Sequence, residues 1–216
     1  MVRFSTASGR PPRPRLLLTG FGPFPGAPRN PTAEVVARLA ERGVGERLGV
    51  DITAHVFSTT WEALDDLAGL LAEARPDIVL HLGLKRRATA IAVEAFGRNR
   101  VSMAAVDAAG RRPLATTLDA DAPPRLASTV PARRIAARIA GLGLPVEISA
   151  DAGRYLCNGL LWRSLRLSGG RPTGFLHLPP TREIAVRAGG VFTLEALTRA
   201  TAAAIGVIAG RDASQP

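Results

Sequence analysis

The stretch RLLLTGFGPFPGAPRNPTAEVVARLAER, residues 15–42, contains the pattern that decides the fold. Its apolar run from Arg15 to Phe21 stops at glycine and proline, which is typical of a buried strand that opens onto a loop. After the loop, Thr32 can cap a helix that continues through Arg42, because apolar residues recur there at helical spacing. The stretch therefore predicts a first strand–loop–helix unit.

Strands and helices continue to alternate along the chain. Further strands are predicted in DITAHVFSTTW, DIVLHLGL, ATAIAVEAF, PVEISA and TGFLHLPPT. Further helices are predicted in WEALDDLAGLLAEARP, PARRIAARIAGLG, the segment from Asp151 through Leu165, and FTLEALTRATAAAIGVIAG, where Thr193 would be the cap. Residues 97–131 show a weaker pattern, with at most one short strand near residues 101–106. The alternation predicts an α/β sandwich with a largely parallel central sheet.

Charge and length limit the classes of partner. The chain has 216 residues and a formal net charge of +10, and Lys85 is the only lysine among its 28 basic residues. A chain of this length can form one substantial core. The arginines lie all along the chain instead of forming one block, and no recognised binding motif accompanies them. We therefore expect no nucleic-acid partner.

The sequence also predicts a location. No run approaches the roughly 20 apolar residues that span a bilayer, so no membrane partner is expected. The first fifteen residues lack the apolar segment of a secretory signal. Cys157 is the only cysteine, which excludes an internal disulfide and favours the reducing cytoplasm.

Three residues are candidates for chemistry. Cys157 follows a predicted strand and lies near a helix start at Arg154 or Tyr155, where the helix dipole would favour a thiolate. A lone cysteine is also often a small buried hydrophobe. His177 lies where a strand ends, at the kind of edge where ligands gather in such folds. Glu94 is an isolated carboxylate in an apolar strand, so it either has a buried partner or points to water.

The other histidines and the glycine-rich loop do not indicate a metal or cofactor site. His55 and His81 lie inside strand patterns and are interpreted as packed or surface strand residues. No cysteine and histidine spacing matches a metal site. The loop GFGPFPG lacks both the dinucleotide fingerprint and the phosphate-binding lysine. We therefore expect no metal and no cofactor.

Four segments together resemble one family. LLLTGFGPFPGAPRNPT resembles the opening signature of the pyroglutamyl peptidase I family of cysteine peptidases, also called pyrrolidone-carboxylate peptidases. ADAGRYLCNGLLW resembles its cysteine motif, and TGFLHLPP resembles its histidine motif. The Glu94 segment also fits, because Gly83 lies eleven residues before Glu94 and Asn99 lies five after it. The segments follow the family order of Glu, Cys and His and span nearly the whole chain.

The resemblance implies a three-layer α/β/α sandwich with a central, largely parallel mixed twisted sheet. It implies a cytosolic cysteine peptidase that acts on peptides with an N-terminal pyroglutamate and often forms homo-oligomers, here a dimer or tetramer. Chain length and composition predict a single domain at residues 15–210, with a flexible basic leader at residues 1–14 and a flexible tail at residues 211–216. The resemblance implies that this domain is an α/β peptidase domain.

The resemblance also implies roles for individual residues. Cys157 would be the nucleophile, His177 the general base and acid, and Glu94 the group that holds the imidazole. The substrate-binding residues would be the following: Phe21, Phe24, Tyr155, Leu84 and Asn30. Flat aromatic walls suit the faces of a neutral lactam ring.

Two loops depart from the family pattern. The chain has LKRRA where the family often has a glycine-rich element, and AAVDAA where many members have a sequence like ARIPDN. The arginine expected around Ala104 is missing, and Arg98 or Arg100 is a candidate to replace it. The basic loop at residues 85–87 indicates tolerance of acidic residues beyond the scissile bond.

Two other functions stay open at this point. The altered loops could redirect the same fold to another N-terminal amide or lactam. The basic chain could also be a nucleic-acid-binding module in which the triad is vestigial.

Overall fold

The structure is a computed structural model that describes residues 12–104, 106–184 and 192–211. Most of the predicted leader and tail, residues 1–11 and 212–216, lies outside the described residues. The strands are β1 (Arg15–Phe21), β2 (Asp51–Phe57), β3 (Ile78–Leu84), β4 (Ile91–Glu94), β5 (Phe96–Arg98), β6 (Arg125–Ala127), β7 (Val146–Ser149) and β8 (Thr173–Leu178). The α-helices are α1 (Pro31–Leu39), α2 (Val44–Leu48), α3 (Leu67–Ala74), α4 (Ala132–Ala140), α5 (Leu156–Leu167) and α6 (Leu194–Ile208).

Six strands form the central sheet in the order β2-β1-β3-β8-β4-β7. The pairs β1 with β2, β1 with β3, β3 with β8, and β4 with β7 are parallel. Only the pair β4 with β8 is antiparallel among the named strands of this sheet. The sheet is therefore mixed and mostly parallel, as predicted, with β4 and β7 running opposite to the other four strands.

Two hydrophobic clusters cover the two faces of the sheet. On one face, Leu80 and Leu176 pack with residues of α1, α4 and α6. On the other face, Val79 and Phe175 pack with residues of α3 and α5. Because successive side chains of a strand point to opposite faces, residues 81, 83 and 177 face the α5 side. The predicted α/β/α layering is confirmed.

The first predicted unit forms, but its helix starts differently. Asn30, not Thr32, is the N-cap of α1, and its side chain accepts the N–H of Thr32 at 3.1 Å. The Thr32 hydroxyl instead accepts the N–H of Phe21 at 3.0 Å, which ties the helix to the end of β1. The Thr32 hydroxyl is thus engaged by the end of β1, and the helix ends at Leu39 instead of Arg42.

Two other local predictions are wrong. The segment predicted as one helix from Trp61 is a 3₁₀ turn, Glu62–Leu64, followed by α3. The N–H of Trp61 binds the carboxylate of Asp107 at 2.9 Å, a tertiary contact that local spacing does not encode. The short strand expected near residues 101–106 is absent from the described part of that segment, and β6 pairs antiparallel with β5 instead.

Candidate active site

His177 and Glu94 meet across two neighbouring strands. His177 lies opposite Ala92 in the antiparallel register of β8 and β4. Glu94 is two residues further along β4, so it points to the same face and reaches His177 diagonally. The Nδ1 atom of His177 is 2.7 Å from Oε1 of Glu94.

This pair is shielded from water. Glu94 is 0% exposed and His177 is 5% exposed. The second oxygen of Glu94, Oε2, makes no hydrogen bond to any described residue, so the imidazole is the main partner of this carboxylate. The sequence left two alternatives for Glu94, a buried partner or exposure to water, and an unpaired buried carboxylate would be costly. Glu94 has a buried partner and does not point to water.

Cys157 reaches the same place from α5. Helix α5 begins at Leu156, one residue after the N-cap Tyr155, so Cys157 is its second residue. A Cβ atom added at Gly83 would lie 2.8 Å from Sγ of Cys157. Gly83 pairs with His177 in the parallel register of β3 and β8. The sulfur therefore lies over the strand pair that carries the histidine.

The route of the chain to Cys157 differs from the one that the sequence predicted. We expected the candidates to lie together beyond the carboxyl ends of parallel strands. Strand β7 runs opposite to β3 and β8, so its carboxyl end does not lie beside theirs. Residues 150–155 carry the chain from β7 to the position of Cys157 beside Gly83.

His177 lies between two anionic groups. Burial lowers the pKa of this imidazole, but the Cys157 thiolate and the Glu94 carboxylate together outweigh the burial and raise it to about 9. His177 is therefore an imidazolium at neutral pH when the thiolate is present. A buried carboxylate, an imidazole and a thiol in this order can generate a nucleophilic sulfur and move a proton beside it.

The start of α5 offers hydrogen-bond donors next to the sulfur. The first N–H groups of a helix have no partner within the helix. Within the described part of the chain, no side chain caps α5, and the N–H groups of Leu156, Cys157 and Asn158 donate to no acceptor. Cys157 therefore lies at a helix start with three unused donors and the positive end of the helix dipole.

A cavity of about 530 Å³ opens onto Cys157. Its size is within the range of small-molecule sites. Its lining includes every residue that the resemblance implied for substrate binding: Phe21, Phe24, Asn30, Leu84 and Tyr155. Sequence reasoning missed Pro25, Thr59, Val106 and Leu156, which also line it.

The loop after β1 forms one wall of this cavity and is held by hydrogen bonds. Phe24 and Ala27 exchange two backbone hydrogen bonds, at 3.1 and 2.8 Å, which close a tight turn with Gly26 at φ 84°. The carbonyl of Gly22 accepts from Asn30 Nδ2 at 3.0 Å and from Thr59 Oγ1 at 3.1 Å. The side chain of Asn30 is thus used to hold the loop that presents Phe24.

Tyr155 connects α5 to the opposite wall. Its hydroxyl donates to the carbonyl of Val106 at 3.0 Å. Burial, with the charges of Asp107 and the Cys157 thiolate, raises the pKa of Tyr155 to about 12, so the hydroxyl keeps its proton. Asp107 accepts the N–H groups of Ala109 and Arg111 at 2.9 and 2.8 Å, which stabilises this loop. The sequence pattern placed Val106 and Asp107 in the irregular segment at residues 97–131 and contained no signal for these contacts.

The other two histidines lie outside this site. His81 is fully buried, with Nδ1 2.7 Å from Thr19 Oγ1 and Nε2 2.6 Å from Ser164 Oγ. Burial lowers its pKa to about 3, so it is neutral and structural. His55 lies on the edge strand β2, and burial lowers its pKa although Asp66 raises it. In the described ranges, no group of three or more His, Cys, Asp or Glu residues could hold a metal ion.

Arg98 and Arg100 do not replace the missing arginine at the cavity. Neither residue lines it. The guanidinium of Arg98 donates to the carbonyl of Ala150 at 3.1 Å and lies 3.5 Å from the carboxylate of Asp151. The backbone carbonyls of both arginines instead accept hydrogen bonds from the side chain of Asn158 in α5, at 2.8 and 2.9 Å.

Comparisons with known proteins agree with this geometry. A sequence model of a family described as pyroglutamyl peptidase matches residues 14–211. The pyrrolidone-carboxylate peptidase of Gloeobacter violaceus is 35% identical over 188 residues, which cover 85% of this chain and 90% of the relative. That of Chromobacterium violaceum is 35% identical over 181 residues, which cover 83% of this chain and 84% of the relative.

Solved structures show the same fold. Pyroglutamyl peptidase I from Bacillus amyloliquefaciens has a TM-score of 0.83 at 26% identity, and the match covers 91% of this chain and 97% of the other. Pyrrolidone carboxyl peptidase from Thermococcus litoralis has a TM-score of 0.83 at 30% identity, covering 90% of this chain and 92% of the other.

Proposed function

Because the chain belongs to the pyroglutamyl peptidase family, we propose that Cys157, His177 and Glu94 hydrolyse the amide bond after an N-terminal pyroglutamyl residue. Family membership makes the chain a cysteine peptidase that removes N-terminal pyroglutamate. The observation that carries the residue assignment is the 2.7 Å contact between Nδ1 of His177 and the buried carboxylate of Glu94. This contact leaves Nε2 of the same imidazole for the sulfur of Cys157.

The first step is attack by sulfur. The Cys157 thiolate forms a bond to the carbonyl carbon of the scissile amide, and the electron pair of that C=O bond moves to oxygen. The unused N–H groups at the start of α5 can donate to this oxyanion. Each such donor is worth about 3 kcal/mol in comparable sites. The absence of a side-chain cap on α5 among the described residues supports this role.

The second step breaks the amide bond. His177, an imidazolium while the thiolate is present, gives its Nε2 proton to the leaving amine as the C–N bond breaks. A thioester between the pyroglutamyl group and Cys157 remains. The neutral imidazole then takes a proton from water, and the resulting hydroxide attacks the thioester. Pyroglutamate leaves, and the thiolate and imidazolium are restored.

Glu94 acts through the imidazole. Its hydrogen bond to Nδ1 fixes the ring orientation and keeps the Nε2 atom directed to the sulfur. Its charge also stabilises the imidazolium, which must be the acid in the second step.

We assign the lactam ring to the cavity beside Cys157. Phe21, Phe24 and Tyr155 would contact its faces and edge, and Leu84 adds apolar surface. Asn30 lines the same cavity, but its polar atoms are used within the loop. We therefore propose that Asn30 positions the Phe24 wall.

Pyroglutamyl arylamide hydrolysis tests the proposed function. We expect the purified chain to release the arylamine from the pyroglutamyl substrate, with little release from matched prolyl and acyl arylamides. The neutral lactam N–H and C=O distinguish these substrates. Turnover of the acyl arylamide alone would contradict the proposal and favour redirection of the fold to another N-terminal amide.

The geometry argues against a nucleic-acid module with a vestigial triad. A carboxylate with 0% exposure is costly unless it keeps its partner. The Glu94–His177 pair and the adjacent cysteine are all in place.

We also propose that the enzyme is cytoplasmic and forms a homo-oligomer, either a dimer or a tetramer. The single cysteine supports the first proposal, and the family resemblance supports the second. None of the described helices combines the length and the apolar character that a bilayer span requires. Cell fractionation measures the location, and light scattering measures the mass in solution.

Gly83→Ala should disturb the site without removing any catalytic group. The added Cβ would lie 2.6 Å from Cζ of Phe175 and 2.8 Å from Sγ of Cys157, so both side chains or the strand itself must shift. We expect kcat/KM to fall by about 10- to 100-fold, because displacement by about 1 Å is enough for such losses. Pyroglutamyl arylamide hydrolysis measures the change.

Gly69→Ala in α3 is the matched control. A Cβ at Gly69 would meet nothing within 4 Å, so this variant should keep its activity. Unchanged activity in Gly83→Ala would contradict the close approach of β3 and the sulfur.

A further inference from the structure

A turn with three consecutive cations lies at the mouth of the catalytic cavity. Lys85, Arg86 and Arg87 follow β3 directly and line the same cavity as Cys157. We call these three residues the basic turn. The N–H of Lys85 donates to the carbonyl of Leu178 at 2.9 Å, and the N–H of Ala88 donates to the carbonyl of Lys85 at 2.9 Å. The backbone of the turn is thus held while its three residues are exposed.

The charges of the basic turn are only partly compensated. Lys85 Nζ lies 3.7 Å from Oε1 of Glu147. Arg86 Nη1 donates to the carbonyl of Gly26 at 3.1 Å, which uses one donor but no opposite charge. Arg87 makes no hydrogen bond or ion pair with the residues that the structure describes.

The cavity itself does not neutralise this charge. Its lining contains no aspartate or glutamate among the described residues. A concave site lined by charge of one sign raises the local concentration of ligands with the opposite sign. The mouth of the cavity therefore favours an anionic group.

The basic turn is close to the reacting sulfur. Gly83, whose added Cβ would lie 2.8 Å from Sγ of Cys157, comes two residues before Lys85. Two residues of an extended peptide span about 7 Å. The first residues on the leaving side of the scissile bond are therefore within reach of these long side chains.

We propose that the basic turn selects peptides that carry aspartate or glutamate in the first two positions after pyroglutamate. Arg87 is the principal contact, because its guanidinium has no partner among the described residues and can bind a carboxylate through two parallel hydrogen bonds. Arg86 and Lys85 add to the positive electrostatic potential at the cavity. The inference rests on the proposed function, since it names the peptides that the same site prefers.

The test compares three peptides that differ only in the residue after pyroglutamate, which is Glu, Gln or Lys. For the wild-type chain at low salt, we expect kcat/KM for Glu to exceed that for Gln by about three- to fivefold, the range for exposed ion pairs. The Lys peptide should be slower than the Gln peptide. Added salt should reduce the Glu to Gln ratio, because it screens exposed charges.

Two variants with the same charge change locate the effect. Arg87→Gln should lower the Glu to Gln ratio toward one, and the part that remains would come from Lys85 and Arg86. Arg138→Gln, in the exposed part of α4, should keep the wild-type ratio. An equal reduction in both variants would assign the preference to net charge and overturn the role of the turn.

Hydrolysis of the pyroglutamyl arylamide separates a failure of the acidic preference from a failure of the proposed function. If the wild-type chain hydrolyses the arylamide but treats the Glu and Gln peptides equally, the acidic preference is wrong and the proposed function stands. If it hydrolyses no pyroglutamyl substrate, the proposed function fails and the acidic preference fails with it.

Discussion

Cys157→Ala should lower kcat/KM for a pyroglutamyl arylamide by at least about 10⁴-fold, because removing the nucleophile of a triad leaves only binding and oxyanion stabilisation. Cys157 is the only cysteine of the chain, so no other thiol can replace it. Initial rates at saturating and limiting substrate measure the loss.

Labelling provides the control for this prediction. Iodoacetamide should inactivate the wild-type enzyme with one alkyl group per chain, and Cys157→Ala should take up none. The variant should keep its cooperative thermal unfolding, since one sulfur is replaced by hydrogen in a residue that is only partly buried. Full activity in Cys157→Ala would eliminate the cysteine mechanism.

Cys157→Ala also tests what raises the pKa of the His177 imidazole. The Cys157 thiolate makes the largest of the contributions that raise the pKa of His177. Without it, burial should predominate and the pKa of His177 should fall. An NMR titration can follow this change, because the chain has three histidines. An unchanged His177 titration in Cys157→Ala would show that the sulfur and the imidazole do not interact.

Glu94→Gln should lower kcat by about 10³-fold or more, as loss of the orienting carboxylate does in comparable triads. The substitution keeps the shape of the side chain and removes the charge from the 2.7 Å contact with Nδ1. The amide can present its NH₂ group to Nδ1, which would favour the wrong tautomer. Glu73→Gln, an exposed position in α3, is the matched control and should retain wild-type kcat.

The pH profile distinguishes this role from a merely structural one. Burial lowers the pKa of His177, whereas Cys157 and Glu94 raise it, to about 9 in the wild type. The alkaline limb of kcat/KM should therefore lie near pH 9, where the imidazolium loses its proton. In Glu94→Gln one of the two anions is gone, so this limb should move to lower pH. A lower kcat with an unmoved limb would contradict the electrostatic role of Glu94.

The free energy of unfolding should also depend on the protonation of His177. The folded pKa of His177, about 9, is above its unfolded value near 6.5. The stabilisation from this group is therefore complete below about pH 6.5 and is lost as the pH rises through about 9. The difference in the free energy of unfolding between wild type and Glu94→Gln should shrink over that interval.

Much of the fold could be predicted because it depends on local periodicity. The apolar runs of β1, β3 and β8 and the spacing in α4 and α6 predict buried faces directly, and the structure confirms these elements and the Thr193 cap of α6. Where a long-range contact competes with the local pattern, the prediction fails. Asn30 caps α1, whereas the Thr32 hydroxyl binds the backbone of Phe21.

In the candidate site, too, the sequence indicated some residues, whereas others depend on tertiary contacts. The sequence alone indicated Cys157, His177 and Glu94, since each combines an unusual residue type with a family motif. It also indicated the aromatic residues that line the cavity. It did not indicate Val106, because the bond from Tyr155 joins segments that are 49 residues apart. It did not indicate why residue 83 must be glycine, since the cause is a sulfur on a different element.

The sequence by itself therefore determined the candidate residues for the chemistry, most of the strands and helices that carry them, and the α/β class. Only the tertiary structure decided that β4 runs antiparallel to β8 and so places Glu94 2.7 Å from His177. It also decided that α5 begins at Leu156, which leaves Cys157 beside unused N–H donors. The physical reason is that periodicity specifies which face of an element is buried, whereas strand direction, register and helix start depend on partners far away in the chain.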